Sequence, residues 1–206
     1  MKKILTITNY LLVIIAIVGS YYFVFTRDKE IGLILKDASI IVTITLPYII
    51  EKIFKREISF GIKTAYIVFV FLAQFLGVTV ELYNKIQYFD KFTHWLSGIL
   101  TALLSLTVLC ALKMYDRKKI IFNIIWMIAI TLSIACLWEC FEYGANIIFG
   151  GDAQRVATTG VNDTMQDMLV ALLGSIIISV VYLYESICNK KLIVNSFTEQ
   201  DNNYIL

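Results

Sequence analysis

Six side chains stand in three pairs at helical spacing: Asp90 with His94, Glu139 with Glu142, and Asp163 with Asp167. Residues three or four apart project from one face of a helix, so each pair offers two polar groups in one direction. His94 is the only histidine in the chain. Carboxylates gathered in a low-dielectric setting cannot all stay ionised without compensation. Protonation, a basic partner such as His94, Lys36 or Arg155, or a bound cation would supply it. One imidazole among oxygen donors suits a divalent metal: magnesium, manganese or calcium ahead of a structural zinc, with catalytic zinc or iron as alternatives. No serine or cysteine stands out as a nucleophile. The catalytic chemistry open to this set is therefore attack by metal-bound water, with one carboxylate or His94 as base.

The elements that carry these pairs are apolar far beyond the needs of a globular core. Of the 206 residues, 59% are hydrophobic and 17% charged, with one proline and a mean hydropathy of +0.76. A soluble domain carries about 25% charged residues. No charge interrupts Ile4 to Thr26, Thr64 to Val80, Ile120 to Trp138 or Met168 to Tyr184, and Phe92 to Leu112 holds only His94. About 20 such residues cross a bilayer as a helix, which satisfies its own backbone in lipid. The expected fold is an all-α polytopic membrane bundle. Its six transmembrane helices are expected near 4–26, 31–50, 64–83, 91–112, 120–143 and 164–184, in a single domain 1–191 with a tail 192–206. The second span is the weakest, because it contains Lys36 and Asp37. The first follows Lys2 and Lys3 like a secretory signal, but its uncharged run exceeds the ~7–15 residues of a signal core and reads as an anchor.

Basic residues set the orientation. With the N-terminus inside, the inner segments hold Lys2, Lys3, Lys52, Lys55, Arg56, Lys63, Lys113, Arg117, Lys118, Lys119, Lys190 and Lys191, twelve in all. The outer segments hold five: Arg27, Lys29, Lys85, Lys91 and Arg155. That positive-inside bias puts both termini in the cytoplasm. The net charge of +2 gives no reason to expect nucleic-acid binding.

In this orientation the three pairs, with Asp37 and Glu81, all lie toward the outer leaflet, and the inner leaflet lacks an equivalent set. Charged groups in hydrocarbon cost at least ~2.5 kcal/mol, so the pairs are expected to face a shared outward pocket. Plainer roles compete. Asp90 and Asp163 suit helix N-termini, Glu81 an interfacial anchor, Lys36 a snorkelling position, and Trp138, Tyr143, Trp95 and Tyr88 an aromatic belt. Asn146 extends the glutamate stripe if its helix continues that far. The glycine-containing segment from about Gly144 to Asn162 could close over the outer face. The four cysteines lack metal or redox spacing and read as small packing residues.

The stretches "YFDKFTHWLSG" (Tyr88 to Gly98), "WECFEY" (Trp138 to Tyr143) and "NDTMQDMLVALLG" (Asn162 to Gly174) resemble the three signatures of the YjdF-like family of bacterial membrane proteins. More distantly they resemble VanZ-like proteins, associated with glycopeptide resistance. In that pattern Asp90, His94, Glu139, Glu142, Asp163, Thr164, Asp167 and Met168 occupy matching positions, while Tyr143 replaces a usual tryptophan. The resemblance implies a multi-pass protein of the bacterial plasma membrane but no established reaction.

Three functions follow as expectations. One is a divalent-metal enzyme acting on a lipid or cell-envelope substrate at the outer leaflet. Another is a non-enzymatic binder of an envelope component or amphipathic drug, with an acidic pocket favouring cationic groups. The third, a cation-coupled transporter, ranks last because polar residues are not expected through the full membrane depth.

Overall fold

A computed structural model describes residues 2–26, 31–55, 58–150, 152, 154, 156–190 and 192–194. The helices run α1 (Lys2–Thr26), α2 (Ile31–Phe54), α3 (Phe60–Val70), a π-helical continuation (Phe71–Thr79), α4 (Leu82–Lys85), α5 (Phe89–Ala111), α6 (Ile120–Phe149), α7 (Val156–Thr159) and α8 (Asn162–Ile187). Among the described residues there is no strand. Among the described residues, five segments are long and apolar enough to cross a membrane: Thr6–Thr26, Phe60–Thr79, Phe89–Ala111, Ile120–Phe149 and Asn162–Ile187. Helix α2 has the length, but it carries Lys36 and Asp37 toward one end and Glu51 and Lys52 toward the other.

The chain forms two compact units, Met1–Thr93 and His94 onward, with the division inside α5. In the first unit, Val13 and Ala16 of α1, Ile40 and Ile44 of α2, Ile67 and Val70 of α3, and Phe75 form the core. A Cβ at Gly19 would lie 2.5 Å from the Phe75 ring, so the absence of a side chain there lets the ring seat against α1. Polar rungs tie the helices together. Thr79 donates to Oδ1 of buried Asp37 at 2.6 Å, Thr43 donates to Gln74, and the Tyr66 hydroxyl donates to the Thr43 carbonyl at 2.9 Å. Asn9 donates to Thr64 at 2.8 Å, and Lys63 pairs with Glu51 at 2.5 Å. Such rungs hold membrane helices together where water cannot drive them. The helix then breaks at Glu81, which takes a left-handed φ of 65°.

In the second unit α6 buries Asn123, Met127, Thr131, Ala135 and Glu139, one residue every fourth position. Helix α8 answers with Asp163, Asp167, Ala171, Ser175, Ser179 and Tyr182 among its buried residues. This single stripe explains why neither helix has to be amphipathic overall: the opposite faces, including Ile121, Ile125, Leu169 and Leu173, are exposed and apolar, as lipid requires. The core joins α5, α6 and α8 through Ala102, Leu106, Leu109, Met127, Ile178 and Tyr182.

Several boundaries differ from the sequence reading. Helix α6 runs to Phe149, six residues past the expected end at 143, and stops at Gly150, whose φ of 73° favours glycine. Asn146 therefore lies on the helix, and the segment that joins α6 to α8 begins at Gly150, not near Gly144. Helix α2 reaches Phe54, α8 reaches Ile187, and the third apolar segment starts at Phe60 and ends at Thr79.

The end of the second unit away from the three pairs also buries polar groups. Glu185, Tyr182 and Asn123 are fully buried there. Asn123 donates to the Tyr182 hydroxyl at 2.7 Å and to the Asp116 carbonyl at 3.0 Å. The start of the expected tail also packs: Ile193 and Val194 donate their N–H groups to Glu185 Oε1 at 2.6 and 3.0 Å, and Val194 joins the core. None of the four cysteines forms a disulfide, and Cys136, Cys140 and Cys188 are exposed, so packing within the chain does not account for those three. Gly151, Arg155, Arg27, Lys29, Arg56, Lys191 and the tail beyond 194 lie outside the described residues.

Candidate functional site

The polar set at the start of α5 and α8 is positioned by two glycines. A Cβ on Gly98 of α5 would fall 2.0 Å from the carbonyl oxygen of Ala171 on α8. A Cβ on Gly174 would fall 2.4 Å from the carbonyl of Trp95. The two backbones are thus in direct contact, the close approach that small residues allow between membrane helices. One turn before Gly98 stands His94, and one turn before Ala171 stands Asp167. The register of the crossing therefore sets the imidazole beside the carboxylate.

His94 Nε2 lies 3.8 Å from Asp167 Oδ1, with the side chains 11% and 4% exposed. That is longer than a hydrogen bond. Asp90 is one turn earlier on α5, and one ligand atom from each of Asp90, His94 and Asp167 lies within 4.8 Å of the others. Donors about 2.1 Å from a common ion stand roughly 3.0–4.2 Å apart, so small side-chain rotations would bring the trio to ligand geometry. Lys91 Nζ is 3.7 Å from Asp90 Oδ2 and is a competing cation.

The other three predicted residues are not part of this trio. Asp163 is buried in the first turn of α8, where an acid complements the helix dipole. Glu142 accepts from the indole N–H of the exposed Trp138 at 2.9 Å. Glu139 is 5% exposed, and Gln154 from the segment between α6 and α7 donates to its carbonyl at 3.0 Å and to its Oε2 at 3.2 Å. Its other carboxylate oxygen, Oε1, is buried with no hydrogen-bond partner among the described residues. With α6 continuing to Phe149, Glu139 lies well inside the helix.

Sequence reasoning missed Gly98 and Gly174. The signal was present: each ends one of the three motifs, one turn after His94 and two turns after Asp167, on the same helix faces.

A helical bundle with long lipid-type faces and a carboxylate–histidine cluster at one end defines an integral membrane protein. The chain belongs to the family described as "Predicted membrane protein (DUF2238)", whose model matches residues 7–186. No functionally curated protein and no solved structure matches it.

Proposed function

We propose that this protein is a multi-pass, YjdF-like protein of the bacterial plasma membrane that holds a divalent cation on Asp90, His94 and Asp167. In this reading it has six spans and both termini in the cytoplasm, and it acts on a lipid or cell-envelope component at the outer leaflet. The observation that carries the reading is the convergence of one imidazole and two carboxylates within 4.8 Å at the mouth of two apolar helices. Three donors with one nitrogen favour manganese or zinc over calcium or magnesium, which prefer more oxygens.

When bound, the cation would supply Lewis-acid activation of a water or of a headgroup oxygen. Asp90 and Asp167 would offset its charge, and His94 would fix its position. Of the three predicted carboxylates outside the trio, Glu139 is the one with an oxygen that no donor among the described residues matches, and in this reading it would serve as proton acceptor. A binder of cationic amphiphiles, a VanZ-like role, is the second reading, favoured by the same unmatched Glu139 oxygen.

Elemental analysis of the purified full-length protein tests the proposal. A near-stoichiometric divalent metal, lost in Asp167→Asn and in His94→Ala while the variants stay folded, is expected. Absence of metal after incubation with manganese and zinc overturns the metal reading. Uptake of a quaternary-amine amphiphile that is abolished by Glu139→Gln would then install the binder.

A further inference from the structure

At the opposite end of the second unit, α6 and α8 border an open groove of about 520 Å³. Lys118 and Lys119 form its rim, and Ile121, Phe122, Leu183 and Ile187 line its trough. The two lysines are exposed, and among the described residues neither ammonium has a hydrogen-bond or ion-pair partner. Lys119 is also the N-cap of the 30-residue α6 and gives no side-chain cap. The unsatisfied first-turn N–H groups of a long helix therefore add partial positive charge at the same rim.

The surroundings preserve this sign. Asp116 is the nearby acid in the α5–α6 loop, and its carboxylate accepts the backbone N–H of Lys118 at 2.9 Å. Arg117 donates to Asn189, and Lys190 donates to the Tyr184 hydroxyl at 3.1 Å. Lys113, Arg117, Lys118 and Lys119 outnumber Asp116 in that loop. The trough residues are open to the outside: Ile121 is 75% exposed, Ile187 70%, Phe122 46% and Leu183 38%. A basic rim over an apolar trough between two membrane-type helices matches a molecule with an anionic head and a hydrocarbon chain.

From this complementarity we infer that the α6–α8 groove is a binding site for an anionic phospholipid, its phosphate between Lys118 and Lys119 and one acyl chain along Ile121, Phe122, Leu183 and Ile187. A soluble phosphate would meet only the rim, and a zwitterionic lipid would bring a cation to it. By the positive-inside bias, the lipid belongs to the cytoplasmic leaflet. The site is independent of the Asp90–His94–Asp167 trio.

Native mass spectrometry of the full chain, titrated with phosphatidylglycerol and with phosphatidylcholine of the same acyl chains, tests it. Tighter retention of phosphatidylglycerol is expected, and K118Q/K119Q should weaken it roughly 30-fold, from about tenfold per 1.4 kcal/mol and the usual contribution of each lysine. K52Q/K55Q removes two charges from the first unit and should leave retention unchanged. Leu183→Trp, which fills the trough, should weaken both lipids. Equal retention in wild type and K118Q/K119Q overturns the site. So does an equal loss in K52Q/K55Q, which would mean general surface attraction. Full displacement by glycerol phosphate would reassign the rim to a soluble anion.

Discussion

Helix α8 carries buried acids at both ends, and the two ends treat them differently. At its start, Asp167 faces His94 at 3.8 Å, too far for a hydrogen bond and close enough to share an ion. At its end, Glu185 is fully buried and accepts two backbone N–H groups, from Ile193 at 2.6 Å and Val194 at 3.0 Å. One carboxylate stands with an imidazole and a second carboxylate within 4.8 Å, the trio proposed above to hold a cation, while the other accepts from the chain that follows it. Burial alone does not separate the two; the groups gathered around each carboxylate do.

The comparison can be broken most severely at the helix crossing. Gly98→Ala places a methyl 2.0 Å from a backbone oxygen that cannot move alone. Overpacking of this kind should cost about 3 kcal/mol or more and separate His94 from Asp167. Thermal unfolding in detergent and loss of metal retention would report both effects. A variant that keeps wild-type stability and metal would show that the backbones do not meet there.

Next in size is Glu185→Ala, which strands two N–H groups. It should cost about 3 kcal/mol, since hydrogen bonds to a charged acceptor are worth about 1.5–3 kcal/mol. Proteolysis near residue 193 should rise in parallel. Glu185→Gln keeps an acceptor oxygen and should cost about half as much. Unchanged melting of the alanine variant would remove Glu185 from its anchoring role.

Asp167→Asn sharpens the contrast from the other side. It should shift stability by less than about 1 kcal/mol, in either direction, while metal retention falls at least tenfold, because removal of a site residue commonly leaves the fold intact. A loss of stability as large as that of Glu185→Ala would make the two ends equivalent. The smallest effect is expected from Asp163→Asn, about 0.5 kcal/mol from the dipole alone, with metal retention kept. Loss of metal in that variant would extend the trio to four residues.

Much of this was legible in the residues. Long uncharged runs can do little but span a bilayer as helices, because lipid offers no partner for an open backbone. The three polar pairs could be placed at one end, because helical spacing and the order of spans fix their depth. What the runs could not give was helix ends: α6 stops where Gly150 permits a positive φ, six residues beyond the end expected at 143. Nor could spacing distinguish the members of a pair. Glu139 and Glu142 share a face by arithmetic, yet one is buried against Gln154 and the other accepts from an exposed tryptophan.

By itself the sequence determined that this is a helical membrane protein with its polar pairs at one end, since hydrophobic length and period are local properties. Only the tertiary structure decided which of those residues meet. Glycine contacts between α5 and α8 set the register that puts His94 beside Asp167, and the return of the chain after α8 buries Glu185. Both depend on partners far apart along the chain, and no local pattern encodes a distance between helices.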